Sequence, residues 1–241
     1  MQIQVTDGIN TELIPILLNK ANFESGIDGI SLLSLYVFAI QSKYNRYLVG
    51  VSPSEDTIFK PQTETEIDTI IIDDLNSGLQ SSEISIENFA QVKYSLDKFF
   101  YDITVQGILN YTYKKSYLIS SSDLGKSLNI SRATIHRYKE LGMEFINDVG
   151  HNSYPKHNNF YWKDGVWSSR IQALYQSFKL RNRSTEELIA EIQRDLELYQ
   201  KQYGGTFHEV FGDVTEPYQL DEPDDYFDWK ELSQDLKKLY E

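Results

Sequence analysis

Residues 121–142 read SSDLGKSLNISRATIHRYKELG, and the way this stretch folds decides the architecture around it. Two short helices that cross steeply need apolar side chains at set places. Leu124 and Leu128 supply them on the first helix, Ile130 in the turn, and Ile135 and Tyr138 on the second. Gly125 leaves room for a close crossing. Asn129 tolerates the positive φ of a tight turn better than most residues other than glycine. Ser131 is placed to cap a second helix that begins at Arg132. With Ile135 and Tyr138 turned inward, Arg132, Ala133, His136, Arg137 and Glu140 face outward.

The charge around this corner sets it apart. The 241-residue chain has 23 Lys+Arg against 36 Asp+Glu, a formal charge of −13, which at long range repels a polyanion. The charge is unevenly spread, however: −9 over residues 1–110, +7 over 111–183 and −11 over 184–241. A basic middle between acidic flanks marks three parts: an acidic N-terminal α+β domain (1–110), a basic domain (111–183), and a capped helix with an acidic aromatic tail (184–241).

With Leu124-Gly125, Asn129-Ile130-Ser131 and Thr134-Ile135 at its characteristic positions, the corner resembles the helix-turn-helix DNA-binding family. The window from Thr134 to Met143 is similar in spacing to the winged MerR-type and excisionase-like variants. It departs from them in having more than 100 residues ahead of the motif and a longer following segment, Asn147 to Trp167. Phage small terminase and plasmid-maintenance proteins carry similar modules. The resemblance implies double-stranded DNA as partner, with the second helix in the major groove. Arg132 and Arg137 are then the candidates for paired hydrogen bonds to guanine, with Ala133 and His136 beside them. Ser131 and Thr134 are candidates for phosphate or a base edge. Lys126, Lys139, Lys156 and Lys163 lead a reserve of phosphate contacts that also includes Lys114, Lys115, Arg170, Lys179, Arg181 and Arg183. The bland alternative is a two-helix corner that only builds a core.

Outward from the corner, Tyr154 to Trp167 is expected to form a β-hairpin wing with Asp164-Gly165 at its turn, or its aromatics close the small domain's core; the two readings are compatible. Leu13–Ala21 and Leu32–Ser42 are expected as helices, and Tyr47–Val51 and Ile67–Ile72 as strands. Ile86–Tyr111 is expected as one long amphipathic helix bent near Gly107. Ser184-Thr185-Glu186-Glu187 has the form of a capping box. The helix after it carries the stripe Leu188, Ile192, Leu196, Tyr199 and Tyr203, read as a homodimerisation element, and Gly204-Gly205 stops it. Beyond lies an extended acidic segment and a short helix near Trp229–Tyr240. Tyr199 to Phe211 followed by Asp224 to Lys230, with a Tyr-Gly-x-Thr-Phe turn before an Asp-Tyr-x-x-Trp stretch, resembles the tail of some small antitoxin-like proteins. Such a tail docks on a basic protein partner, packs on its own chain, or competes with DNA for the basic face.

Other classes are excluded or disfavoured. Without cysteine there is no disulfide framework, thiolate zinc site or cysteine nucleophile. His151 and His157 are read as surface histidines of a wing, their spacing fitting no compact metal site. No phosphate loop, nucleophile elbow or zinc-protease helix is present, and adjacent Asp73-Asp74 and Asp224-Asp225 point apart. No catalytic residue, metal or cofactor is expected. With no spanning segment and no signal peptide, the expectation is a cytoplasmic, non-enzymatic, mainly α protein with minor β. Its leading reading is a sequence-specific DNA-binding protein of regulatory or mobile-element type, and its rival is a protein-interaction module.

Overall fold

The computed structural model describes residues 28–61, 63, 68–148 and 151–240; the expected helix Leu13–Ala21 lies outside them. The chain is mainly helical with small sheets and divides into two compact units, Met1–Asn182 and Arg183–Glu241.

Among the described residues, the first unit opens with helix α1, Gly29–Lys43, whose amides at Ile30 and Ser31 are capped by the Asp28 carboxylate at 3.0 and 2.9 Å. Strands β1 (Leu48–Pro53) and β2 (Ile58–Phe59) follow, then helices α2 (Thr69–Gln80) and α3 (Ile86–Ile103). The expected strand Ile67–Ile72 is therefore corrected, since α2 starts within it. Asp68 caps this helix, and Ile71, Leu75 and Leu79, spaced four apart, are all buried. Burying that stripe against α1 and α3 outweighs the strand preference of three consecutive isoleucines.

The expected long helix is corrected as well. It stops at Ile103, and the chain turns back through β3 (Thr104–Gln106) and β4 (Leu109–Tyr113). Gly107, at φ +101°, permits the reversal. The helix end is satisfied from far away: Arg181 donates to the carbonyls of Tyr101 and Thr104 at 2.8 and 2.9 Å and of Gly107 at 3.0 Å. Strand β4 pairs antiparallel with β1, and β3 with β2. Tyr36, Ile40, Leu75, Phe89, Leu96, Phe99 and Phe100 form the centre of this core.

The same unit continues through β5 (Leu118–Ser120), α4 (Ser121–Leu128), α5 (Arg132–Glu140), β6 (Ile146–Asp148), β7 (His151–Pro155), α6 (Asn158–Lys163) and α7 (Gly165–Arg181). The three strands form one antiparallel sheet in the order β5-β7-β6. The hairpin is thus built from Ile146 to Pro155, not from Tyr154 to Trp167. Asp164 is no turn residue: its carboxylate caps α7 through the amides of Val166 and Trp167. A second core gathers Leu124, Ile135, Met143, Tyr154, Tyr161 and Trp162.

The second unit opens with α8, Thr185–Tyr203, and both halves of its capping box are made. The segment beyond is folded where an extended tail was expected. Helix α9 (Phe207–Phe211) has its own capping box, Thr206 with Glu209, and α10 runs the full length Pro223–Tyr240. Trp229, 1% exposed, is ringed by Tyr199, Tyr203, Phe207 and Phe211 at 5.4–5.8 Å between ring centroids. The regular stripe of α8, read as a surface for a second copy, therefore packs in part on α10 of its own chain.

Candidate nucleic-acid interface

The corner has the geometry that its residues require. Leu124 and Ile135 are buried, and Leu128, Ile130 and Tyr138 pack around them. A Cβ on Gly125 would meet the Ile130 carbonyl oxygen at 3.1 Å, so the close crossing depends on glycine. Asn129 sits at φ 54°, ψ 46°, and its amide reaches back to the carbonyls of Gly125 and Lys126. Ser131 caps α5, its hydroxyl accepting the Thr134 amide at 3.1 Å. Tyr138 stacks on Trp162 with centroids 4.4 Å apart, so an aromatic from α6 fixes the inner face of the second helix.

Between α4, α5 and the sheet lies an open cleft of about 1220 Å³. The start of α4 (Ser120–Ser122) and the turn form one wall. Asn147 and Tyr154 of the hairpin line another side, and Ser131, Arg132, His136 and Lys139 come from α5. Lys126 also lines it, and none of the described lining residues is a carboxylate. Lys139 lies over the Phe145 ring at 3.7 Å, and His136 faces Glu140 at 3.6 Å just outside the cleft lining. Arg132, His136 and Lys139 are the steps of one helix face.

The other predicted residues fall elsewhere. Ala133 and Arg137 are exposed on α5 but do not line the cleft, and Thr134 turns its hydroxyl to Ser131 at 3.0 Å. Lys156 lies just beyond β7 at the root of the hairpin and donates to the Ser116 carbonyl at 2.9 Å, while Lys163 ends α6. Arg181 is taken up by backbone carbonyls, and Arg183 pairs with Glu191. The position of His157 corrects its surface reading: it is fully buried.

His157 belongs to a buried polar cluster that sequence reasoning missed. Its Nε2 lies 2.9 Å from Glu144, and the Tyr117 hydroxyl lies 3.3 Å from Nδ1. Glu144 also accepts from the Tyr113 hydroxyl at 2.7 Å and sits 3.4 Å from Lys93, which pairs with Asp97 at 2.8 Å. Tyr111 closes the set by donating to Asp97 at 2.7 Å. Burial disfavours the Glu144 carboxylate, but Lys93, His157 and Tyr113 outweigh it and hold it at about 2. Burial pushes His157 below its ordinary value despite the pull of Glu144, and raises Asp97 despite Lys93. One signal was available: Lys93 falls on the same face of α3 as Phe89, Leu96 and Phe100.

The described residues hold no group of three or more side chains suited to a metal ion, and no helix among them is long and apolar enough to cross a membrane. Compared with known proteins, the chain matches no family model, and neither a similar curated protein nor a similar solved structure was found.

Proposed function

We propose that this chain is a cytoplasmic, sequence-specific DNA-binding protein of regulatory or mobile-element type, which acts through a winged helix-turn-helix and is not an enzyme. One observation carries the reading. In a chain of formal charge −13, the cleft beside α5 is lined by Lys126, Arg132, His136 and Lys139, with no carboxylate among the described residues that line it. An α-helix such as α5, about 10–12 Å across with its side chains, fits a major groove about 12 Å wide. Arg132, in its first turn, is the candidate reader of guanine, with His136 one turn on. Lys126 and Lys139 meet phosphates, as do the hydroxyls at the starts of α4 and α5. The hairpin β6–β7 lies along the backbone as the wing. A homodimer on two half-sites is part of the proposal, and sedimentation with and without duplex tests it.

Selection from random duplexes, followed by gel shifts at several salt concentrations, tests the whole. Arg132→Ala is expected to cost about 1–3 kcal/mol and relax one base position, whereas Lys126→Ala and Lys139→Ala each weaken all sequences and reduce the salt slope by about 0.9. Absence of binding at low salt, or no effect of Arg132→Ala combined with Arg137→Ala, refutes the reading.

A second reading, capture of a basic protein, is favoured by a cleft between α8 and α10, where Asp195, Asp228 and Glu231 surround Leu198, itself 64% exposed. Neutralising those three carboxylates separates the readings. Loss of partner capture with duplex binding intact assigns the two activities to different surfaces.

A further inference from the structure

The hairpin that walls the cleft is fastened at its root by the buried cluster. Asn147 and Tyr154, its two cleft-lining residues, each stand three positions from a member of that cluster: Glu144 precedes β6 and His157 follows β7. The 2.9 Å contact between Glu144 and His157 closes the root side chain to side chain, and Asn158 closes it again by donating to the Glu144 carbonyl at 2.8 Å. Both carboxylate oxygens of Glu144 are engaged: Tyr113, from β4, holds one, while His157 and Lys93, from α3, meet the other. One side chain thus ties the hairpin root to the core that gathers residues from Leu33 to Tyr117.

Stability alone does not account for such an arrangement. Taking Lys93, Asp97 and Glu144 out of water is costly, and apolar residues of similar volume often replace buried ion clusters without loss of stability. Apolar packing lacks direction. A carboxylate that accepts from three donors fixes both the distance and the angle of the strand that follows it.

We propose that Glu144 is the positioning residue of the interface: by binding Lys93, Tyr113 and His157 together, it sets the hairpin against α5 and so the width of the cleft presented to DNA. This rests on the DNA-binding reading for its consequence, but not for its test. Two variants of the full chain are compared with the wild type, Glu144→Gln and the apolar triple Lys93→Met/Glu144→Leu/His157→Leu. Three quantities are measured: the unfolding midpoint, amide hydrogen exchange, and affinity for a mixed-sequence duplex at low salt.

In the triple variant the midpoint falls, because Asp97 loses its Lys93 partner, and the positioning role is read from where protection is lost. Exchange at Asn147 and Ser153 rises at least about tenfold relative to α4 and α5, and duplex affinity falls about tenfold. A purely structural role predicts that all regions lose protection together. Unchanged hairpin exchange in both variants overturns the proposal, as does a uniform rise across the unit. If the triple variant does not fold, Glu144→Gln decides by the same split. If the wild type binds no duplex, the DNA reading fails while exchange still judges the positioning.

Discussion

Trp229→Ala is expected to destabilise the C-terminal unit and leave the rest of the chain folded. Trp229 is 1% exposed and touches the rings of Tyr199, Tyr203, Phe207 and Phe211. Deleting a buried tryptophan side chain costs about 3–5 kcal/mol, because the neighbours only partly collapse into the space. A unit of about 60 residues holds roughly 3–9 kcal/mol in total. At the middle of both ranges, about 4 of about 6 kcal/mol, the substitution removes most of that stability. The core of the first unit, centred on Phe89, Leu96 and Phe99, contains none of these rings. Hydrogen exchange is the assay: protection across α8 to α10 should fall sharply while α3 keeps its own, and fluorescence from Trp162 and Trp167 should still report a folded first unit. Retained protection in α10 would show that the aromatic cluster is not what holds the unit together. Simultaneous loss of protection in α3 would show that the two units unfold as one.

Three further predictions concern the first unit. Gly142→Ala should cost about 2 kcal/mol or more in urea unfolding, since residue 142 sits at φ +103° and a Cβ there would meet Tyr175 Cβ at 2.6 Å. Ser131→Ala should cost about 1 kcal/mol by removing the cap on the Thr134 amide, read as a lower unfolding midpoint. Acid should weaken the unit through its buried cluster. Glu144 titrates in the fold at about 2 instead of its ordinary 4.5, so its stabilisation, roughly 3 kcal/mol, is present above pH 4.5 and lost as pH falls toward 2. His157, lowered from 6.5, adds loss of stability below pH 6.5, and Asp97, raised from 3.8, opposes both. Urea midpoints between pH 7 and 3 should accordingly fall less steeply in Glu144→Gln than in the wild type.

The corner was legible because each of its requirements names a residue type. A close crossing asks for glycine, a left-handed turn for asparagine, a cap for serine, and all three stand where the backbone needs them. Elements whose conformation is imposed from a distance were not. Ile70, Ile71 and Ile72 read locally as a strand, yet Leu75 and Leu79, one and two turns later, make them a helix. Nothing between Ile103 and Tyr111 names Arg181, whose guanidinium donates to the carbonyls at the end of α3. The hairpin was displaced for a related reason: Asp164-Gly165 suits a turn and a helix start equally well, and the cap it makes to Val166 and Trp167 selects the helix.

The candidate interface divides along the same line. Arg132 and His136 follow from the outward positions of a short helix, which also give Ala133 and Arg137 outside the cleft lining, while Lys126 and Lys139 follow from their charge and Ser131 from its cap. Ser120, Asn147 and Tyr154 were missed because they enter the cleft from strand-bound segments whose pairing the sequence does not state. Glu144 and His157 are the extreme case. A charged residue is ordinarily assigned to the surface, and only pairing with groups as distant as Lys93 and Tyr113 makes burial tolerable. On the proposed reading, the basic middle marks where a polyanion approaches. On that reading the shape of the surface depends on a partly buried acid, Glu144, and the fully buried His157 beneath it, about which segment charge carries no information.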